Sequence, residues 1–141
     1  MRAYVTVGLF ALVLALGSSS MAAESTADEK SLHTVTVDQL ATLRTSRKAV
    51  IVDANNGDTR QKYGVIPGAI LLSHYEKYDV AKELPRDHAE KLVFYCANEK
   101  CMASHKAAAR ATEAGYTDVS VLPAGIMGWK SSGQPIDTSG S

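Results

Sequence analysis

Cys96 and Cys101 are the only two cysteines in a chain of 141 residues, and they bracket one short loop, Cys96-Ala97-Asn98-Glu99-Lys100-Cys101. Immediately before it stands the apolar run Leu92-Val93-Phe94-Tyr95, rich in β formers. Residues 103–114 behind it read as a helix. A thiol held between a buried strand and a helix start sits where loop amides and the positive end of the helix dipole both favour thiolate over thiol. The spacing therefore points to sulfur chemistry centred on Cys96, with Ala97, Asn98, Glu99, Lys100 and Cys101 as the cradle around it. Cys101 has two readings. It is either a filler at the helix start or a resolving or disulfide partner, and a disulfide requires Cα atoms about 4.4–6.8 Å apart. His105, one helical turn after Cys101, would complete a soft Cys-Cys-His set, but no fourth ligand is evident and the spacing is unlike a zinc knuckle. No metal and no cofactor are expected.

The elements around this loop are short. Thr36 and Gln39 have the spacing of a capping box opening a helix that runs toward Ser46. Ala49-Val50-Ile51-Val52 is a continuous apolar run ending at Asp53, the mark of a strand buried on both faces. Asn55-Asn56-Gly57-Asp58 is turn chemistry, with a helical turn near Arg60 after it. Residues 64–69, Gly-Val-Ile-Pro-Gly-Ala, form a punctuated loop before a short strand at 70–72. Residues 73–84 read as mixed and partly helical. In the helix at 103–114, Ala103, Ala107 and Ala111 share one face, and Gly115 suits its C′ position. Val119-Ser120-Val121-Leu122 is a further strand, residues 126–131 a last short helix anchored by Trp129, and residues 133–141 a tail. Strands alternating with helices predict an α/β domain with a mainly parallel sheet, in which ligands sit outside the carboxyl ends of the strands. Asp53 and Cys96 both fall at such ends. Asp53 is expected to accept hydrogen bonds there rather than to act as a base.

Size and charge bound the rest. Residues 1–22 have the layout of a secretory signal peptide: Arg2, an apolar run of about 14 residues, then small residues up to Ala22. That run is short of the roughly 20 needed to span a bilayer. The expected organisation is a signal peptide at 1–22, a flexible mature N-terminus at 23–34, a domain at 35–136 and a tail at 137–141, with a periplasmic or secreted location. Fifteen basic side chains balance fifteen acidic ones, so charge supports neither nucleic acid nor, after cleavage, a membrane as partner.

Four segments, in order, resemble the single-domain rhodaneses: Val52-Asp53, then Gly64 to Ala69, then Tyr95-Cys96, and finally Gly115-Tyr116 through Gly125, Trp129, Gly133 and Pro135. The resemblance implies a rhodanese-like α/β fold with a central parallel five-stranded sheet flanked by helices. It also implies a sulfurtransferase whose Cys96 carries sulfane sulfur as a persulfide inside a nest of backbone N–H groups. The implied partners are a small sulfur donor, a thiol or other nucleophilic acceptor, and a periplasmic reductant if the two cysteines pair. The chain departs from the family where Val65 replaces histidine and Asn55 replaces arginine; Arg60 is the candidate substitute, supporting the site with Asp53. Cys101 closes the loop where many relatives carry arginine or threonine. Glu99 would repel a dianion such as thiosulfate. A cysteine phosphatase would need a longer loop closing on an arginine that grips phosphate bidentately, and Met102 occupies that region. Two alternatives stay open: a thiol–disulfide redox protein using both cysteines, and a non-catalytic sulfur- or redox-sensing binding module.

Overall fold

The computed structural model describes residues 32–139; the signal peptide expected at 1–22 and residues 23–31 lie outside them. The apolar run before Cys96 is β4 in chain order (Leu92–Tyr95), and all four of its residues are buried. It lies at the centre of a five-stranded parallel sheet. The other strands are β1 (His33–Thr34), β2 (Val50–Asp53), β3 (Ile70–Leu71) and β5 (Val119–Leu122), and the spatial order is β1-β5-β4-β2-β3. The helices are α1 (Val37–Thr45), α2 (Gly57–Tyr63), α3 (Val80–Glu83), α4 (Ala103–Glu113) and α5 (Gly125–Ser131). The expected fold class is thus observed. Among the described residues no helix is long and apolar enough to cross a membrane.

Alternate residues of β4 face opposite sides of the sheet, as the strand period of two requires. Leu92 and Phe94 join the core that contains Ala107, Ala108 and Ala111 of α4. Val93 and Tyr95 join the other, with Leu40, Ile66, Ile126 and Trp129. A strand covered on both faces must be apolar throughout, which is why the run carries no alternation. The small side chains of α4 let the helix lie close on the sheet. Its buried face is Ser104, Ala107, Ala108 and Ala111; Ala103, expected on that face, is only partly buried. The helix ends in a Schellman motif: Tyr116 N–H donates to Ala111 O, Gly115 N–H donates to Thr112 O, and Gly115 takes φ +102°. At α1 both hydrogen bonds of the Thr36–Gln39 capping box are present.

Two boundaries differ from expectation. His33 and Thr34, expected in a loose N-terminus, pair with Ser120 and Val121 as edge strand β1. Asp137, expected to begin a free tail, exchanges two backbone hydrogen bonds with Val65, at 2.8 and 2.9 Å. Trp129, fully buried as expected, donates from Nε1 to Pro135 O at 2.8 Å and draws the chain back toward the domain. A strand of two residues and a single bridge have no periodicity to read; both are held by partners distant in sequence.

The carboxyl edge of the sheet is tied together by one buried carboxylate. Asp53, wholly buried, accepts from Tyr95 Oη at 2.5 Å and from Asn55 N–H at 2.7 Å. Arg60 Nε lies 3.4 Å from Asp53 Oδ1, and Arg60 Nη2 donates to the carbonyls of Asp53 and Leu72 at 3.1 and 2.9 Å. The Tyr95 hydroxyl in turn accepts from Ile66 N–H at 3.0 Å. Burial first, and then the Asp53 charge, push the Tyr95 phenol far above its ordinary range, so it remains a hydrogen-bond donor. Removing that hydroxyl leaves a buried acceptor and a buried N–H short of a partner. Tyr95→Phe is expected to lose about 1–3 kcal/mol in urea unfolding. Asp53→Ala, which strands the Arg60 cation, is expected to lose about 3–5 kcal/mol. A Tyr95→Phe protein that unfolds at the wild-type midpoint would remove this hydroxyl from the account.

Candidate functional site

Beyond Tyr95 the chain turns out of the sheet at Cys96 and re-enters regular structure at α4. The start of α5 fixes the first two peptide units of this loop. Ile126 N–H donates to Cys96 O at 2.8 Å, and Met127 N–H donates to Ala97 O at 3.0 Å. Gly125 makes that approach possible. It adopts φ +61°, and a Cβ there would lie 2.5 Å from Ala97 O and 2.6 Å from Cys96 O, so no other residue fits without moving the loop. Further along, the Asn98 side chain accepts from Lys100 N–H at 3.0 Å, and Asn98 O accepts from Cys101 N–H at 3.1 Å. This turn leaves Glu99 and Lys100 exposed and brings Cys101 back to the mouth of the loop, directly before the N-cap Met102.

The loop brings the two thiols together. Both are free; Cys96 is 1% exposed and Cys101 half-buried. Cys96 Sγ donates to Cys101 O at 3.1 Å and lies 3.3 Å from Ser104 Oγ. The two thiols also perturb each other: the Cys101 side chain raises the Cys96 thiol, and the Cys96 side chain lowers that of Cys101. Burial is the main reason that Cys96 is pushed up; Cys101 adds to it, and the Ser104 hydroxyl and N–H oppose it. Burial acts upward on Cys101 too. The neighbouring Cys96 thiol and the backbone N–H groups of Ala97 and Ala103 outweigh it and hold Cys101 below the ordinary thiol range. A thiolate favoured at Cys96 was the expectation; at this site burial outweighs the Ser104 hydroxyl and N–H, so the Cys96 thiol is shifted up while that of Cys101 is shifted down.

The remaining candidates sort by distance from the sulfur atoms. Asp53 and Arg60 meet each other and reach the loop only through Tyr95; neither hydrogen-bonds with either cysteine. Arg60 is occupied by a carboxylate and two carbonyls, so it does not replace the arginine missing at the mouth. Asn55 is 7% exposed, and its Nδ2 has no hydrogen-bond partner. Val65 is buried and pinned to Asp137. The sequence reading missed Ser104, whose hydroxyl touches Cys96 and lies 3.5 Å from His105 Nδ1. Its signal was a lone hydroxyl on an otherwise alanine-lined buried face. It also missed Met127, whose Sδ accepts from Asn98 Nδ2 at 3.5 Å and which, with Met102, is an exposed apolar side chain beside the loop.

Comparison with known proteins agrees with this architecture. Residues 36–132 match the rhodanese-like domain family. Among solved structures, a thiosulfate sulfurtransferase from Pseudomonas aeruginosa is 27% identical with a TM-score of 0.62; the match covers 77% of this chain and 21% of that one. A protein of unknown function from Rhodopseudomonas palustris, described as a possible tyrosine phosphatase, is 26% identical over 77% of this chain and 86% of its own, with a TM-score of 0.61. A human single-domain sulfurtransferase shares the fold at 22% identity and a TM-score of 0.57, over 70% of this chain and 95% of its own. No curated protein matches the chain in sequence. With the match spanning more than half its length and the cysteine loop at the carboxyl end of the central parallel strand, the chain belongs to the rhodanese-like domain family.

Proposed function

We propose that this protein is a sulfurtransferase that holds sulfane sulfur as a persulfide on Cys96. The observation that carries the reading is the placement of Cys96: at the carboxyl end of the central strand in a rhodanese-like domain, 1% exposed, with Ser104 and Cys101 as its polar neighbours. A persulfide is destroyed by any thiol that reaches it, so a shielded sulfur suits storage. The loop presents Glu99 and lacks an arginine, which disfavours thiosulfate as donor and supports a donor without a dianionic group. A small sulfur donor and a thiol or other nucleophilic acceptor are the partners this chemistry needs. Export through residues 1–22 to a periplasm, or secretion, would supply an oxidising compartment and an external reductant.

A second reading, thiol–disulfide exchange, is favoured by two free cysteines closing one loop, with Cys96 Sγ donating to Cys101 O at 3.1 Å. The two readings separate by mass. Wild-type protein treated with polysulfide is expected to gain about 32 Da on the Cys96 peptide and to keep it through desalting, and Cys96→Ser is expected to retain at least tenfold less, at about background. A loss of about 2 Da without sulfur gain, needing both cysteines, would replace the sulfurtransferase with a redox protein.

The pH behaviour follows from the unequal thiols. Followed by the ultraviolet thiolate band, the wild type is expected to ionise in two steps, one below and one above the ordinary thiol range, because the anion gathers first at Cys101 and the buried Cys96 loses its proton only at higher pH. In Cys101→Ser the remaining thiol is expected to stay above that range, since burial is its main perturbation. A single step at the ordinary value in either protein would contradict this ordering. Export is checked separately: protein recovered from the periplasm of an expressing bacterium is expected to begin at Ala23, and recovery of the uncleaved chain from the cytoplasm would overturn it.

A further inference from the structure

An enclosed thiol must give up its proton before its sulfur can attack a donor, because the thiolate is the nucleophile. Cys96 is 1% exposed, so bulk water has little direct access to that proton. Its Sγ has two acceptors within reach, Cys101 O at 3.1 Å and Ser104 Oγ at 3.3 Å. A carbonyl oxygen can hold the thiol proton but cannot carry it onward. A hydroxyl both accepts and donates, and Ser104 Oγ lies 3.5 Å from His105 Nδ1. Sγ, Oγ and Nδ1 thus make a chain of three heteroatoms from a buried sulfur to a half-buried imidazole. Ser104 is itself 1% exposed and is the one hydroxyl on the buried alanine face of α4. Thr112, on the same helix, turns its hydroxyl back to Ala108 O, the usual resort of a helical Ser or Thr. Among the described residues the Ser104 hydroxyl instead meets only Cys96 and His105.

We propose that Ser104 is a catalytic residue that conducts the Cys96 proton to His105, the group that stores it during sulfur transfer. This rests on the sulfurtransferase reading and adds a proton path to it. With the His105 proton on Nε2, Nδ1 accepts from the Ser104 hydroxyl, and the hydroxyl oxygen accepts from the Cys96 thiol. The Cys96 proton passes to Ser104 Oγ as the Ser104 proton passes to His105 Nδ1. Ser104 then donates to the new thiolate, and the imidazolium donates to Ser104, so the same three groups that remove the proton stabilise the charge left behind. The Cys96 thiolate attacks the outer sulfur of a hydropersulfide R–S–SH. A Cys96–sulfur bond forms, the donor S–S bond breaks, and R–S⁻ leaves and takes up the proton that His105 releases through water. Cys96–SH and R–S–SH thus become Cys96–S–SH and R–SH, with no net oxidation or reduction. When an acceptor thiolate later removes the outer sulfur, the departing Cys96 thiolate recovers a proton along the same chain. Imidazole suits the outer position because it takes and gives up a proton near neutral pH.

The test is the rate at which folded mature protein, mixed with rising concentrations of cysteine hydropersulfide at neutral pH, gains about 32 Da on the Cys96 peptide. Ser104→Ala extends the alanine face without adding bulk, and His105→Gln keeps a neutral hydrogen-bond acceptor beside Ser104 while removing the group that takes a proton. Both variants, with circular dichroism as wild type, are expected to lower the saturating rate at least about tenfold and to leave the half-saturating donor concentration unchanged. They are also expected to reach the wild-type endpoint, since Cys96 is intact in each. A merely structural His105 would be replaced by glutamine without loss, so filling of His105→Gln at the wild-type rate overturns the proposal. Filling of Ser104→Ala at the wild-type rate overturns it too, as does a change confined to the half-saturating concentration; each of these results leaves the sulfurtransferase standing. No uptake by the wild type from this donor or from polysulfide overturns the sulfurtransferase reading and the proton path with it.

Discussion

The hydrogen bond between the Tyr95 hydroxyl and the Asp53 carboxylate ties the paired ends of β2 and β4 to a third segment that lies outside the sheet. Asp53 ends β2, Tyr95 ends β4, and the same hydroxyl receives Ile66 N–H from the loop at residues 64–69. A buried carboxylate without partners would be very costly, and this one is tolerated because Tyr95, the Asn55 amide and Arg60 surround it. The residue that follows Tyr95 is Cys96. The polar network is therefore one residue from the reactive sulfur and fixes the point at which the chain leaves the sheet, without contributing a group to the chemistry. Gly125 completes the constraint from the opposite side, since the α5 amides close on the Cys96 and Ala97 carbonyls only where no Cβ intervenes.

This arrangement decides what kind of anion the loop can serve. In a phosphate-binding loop, several amides and an arginine converge on one space in front of the nucleophile. Here the Lys100 amide goes to the Asn98 side chain and the Cys101 amide to Asn98 O, while those of Ala97 and Ala103 lower the Cys101 thiol and that of Ser104 lowers Cys96. The positive ends of the backbone dipoles are directed at the loop itself and at the two thiols. The nearby Arg60 is held by Asp53. What is left at the mouth is a soft, largely neutral surface with one exposed carboxylate and one exposed ammonium, a setting for sulfur–sulfur exchange rather than for capture of a dianion.

Most of the fold was legible because it is written locally. A strand buried on both faces must be apolar throughout, and the run before Cys96 is; the capping box at Thr36 and Gln39 and the C′ glycine at Gly115 each mark a helix end within four residues. The position of Cys96 at a strand end followed from the same local signals. What escaped reading depends on distant partners. The two-residue β1 exists because β5 offers an edge, and Asp137 is ordered by Val65, more than seventy positions away. Ser104 escaped because its importance lies in the neighbour it touches across the loop, which the spacing of residues does not reveal.

The ionisation of the cysteines is the instructive failure. A strand-to-helix cysteine was expected to be the anion because two general effects, loop amides and the helix dipole, favour charge at that point. Both effects are local: the Ser104 N–H lowers Cys96, but burial outweighs it there, whereas the Ala97 and Ala103 amides help to overcome burial at Cys101. Two thiols that perturb each other titrate as a pair rather than as independent sites, and the more solvated partner, nearer the helix start, is the one shifted down. Burial is what divides the pair: charge on a sulfur withdrawn from water is opposed by lost solvation, while the half-buried Cys101 keeps part of that solvation.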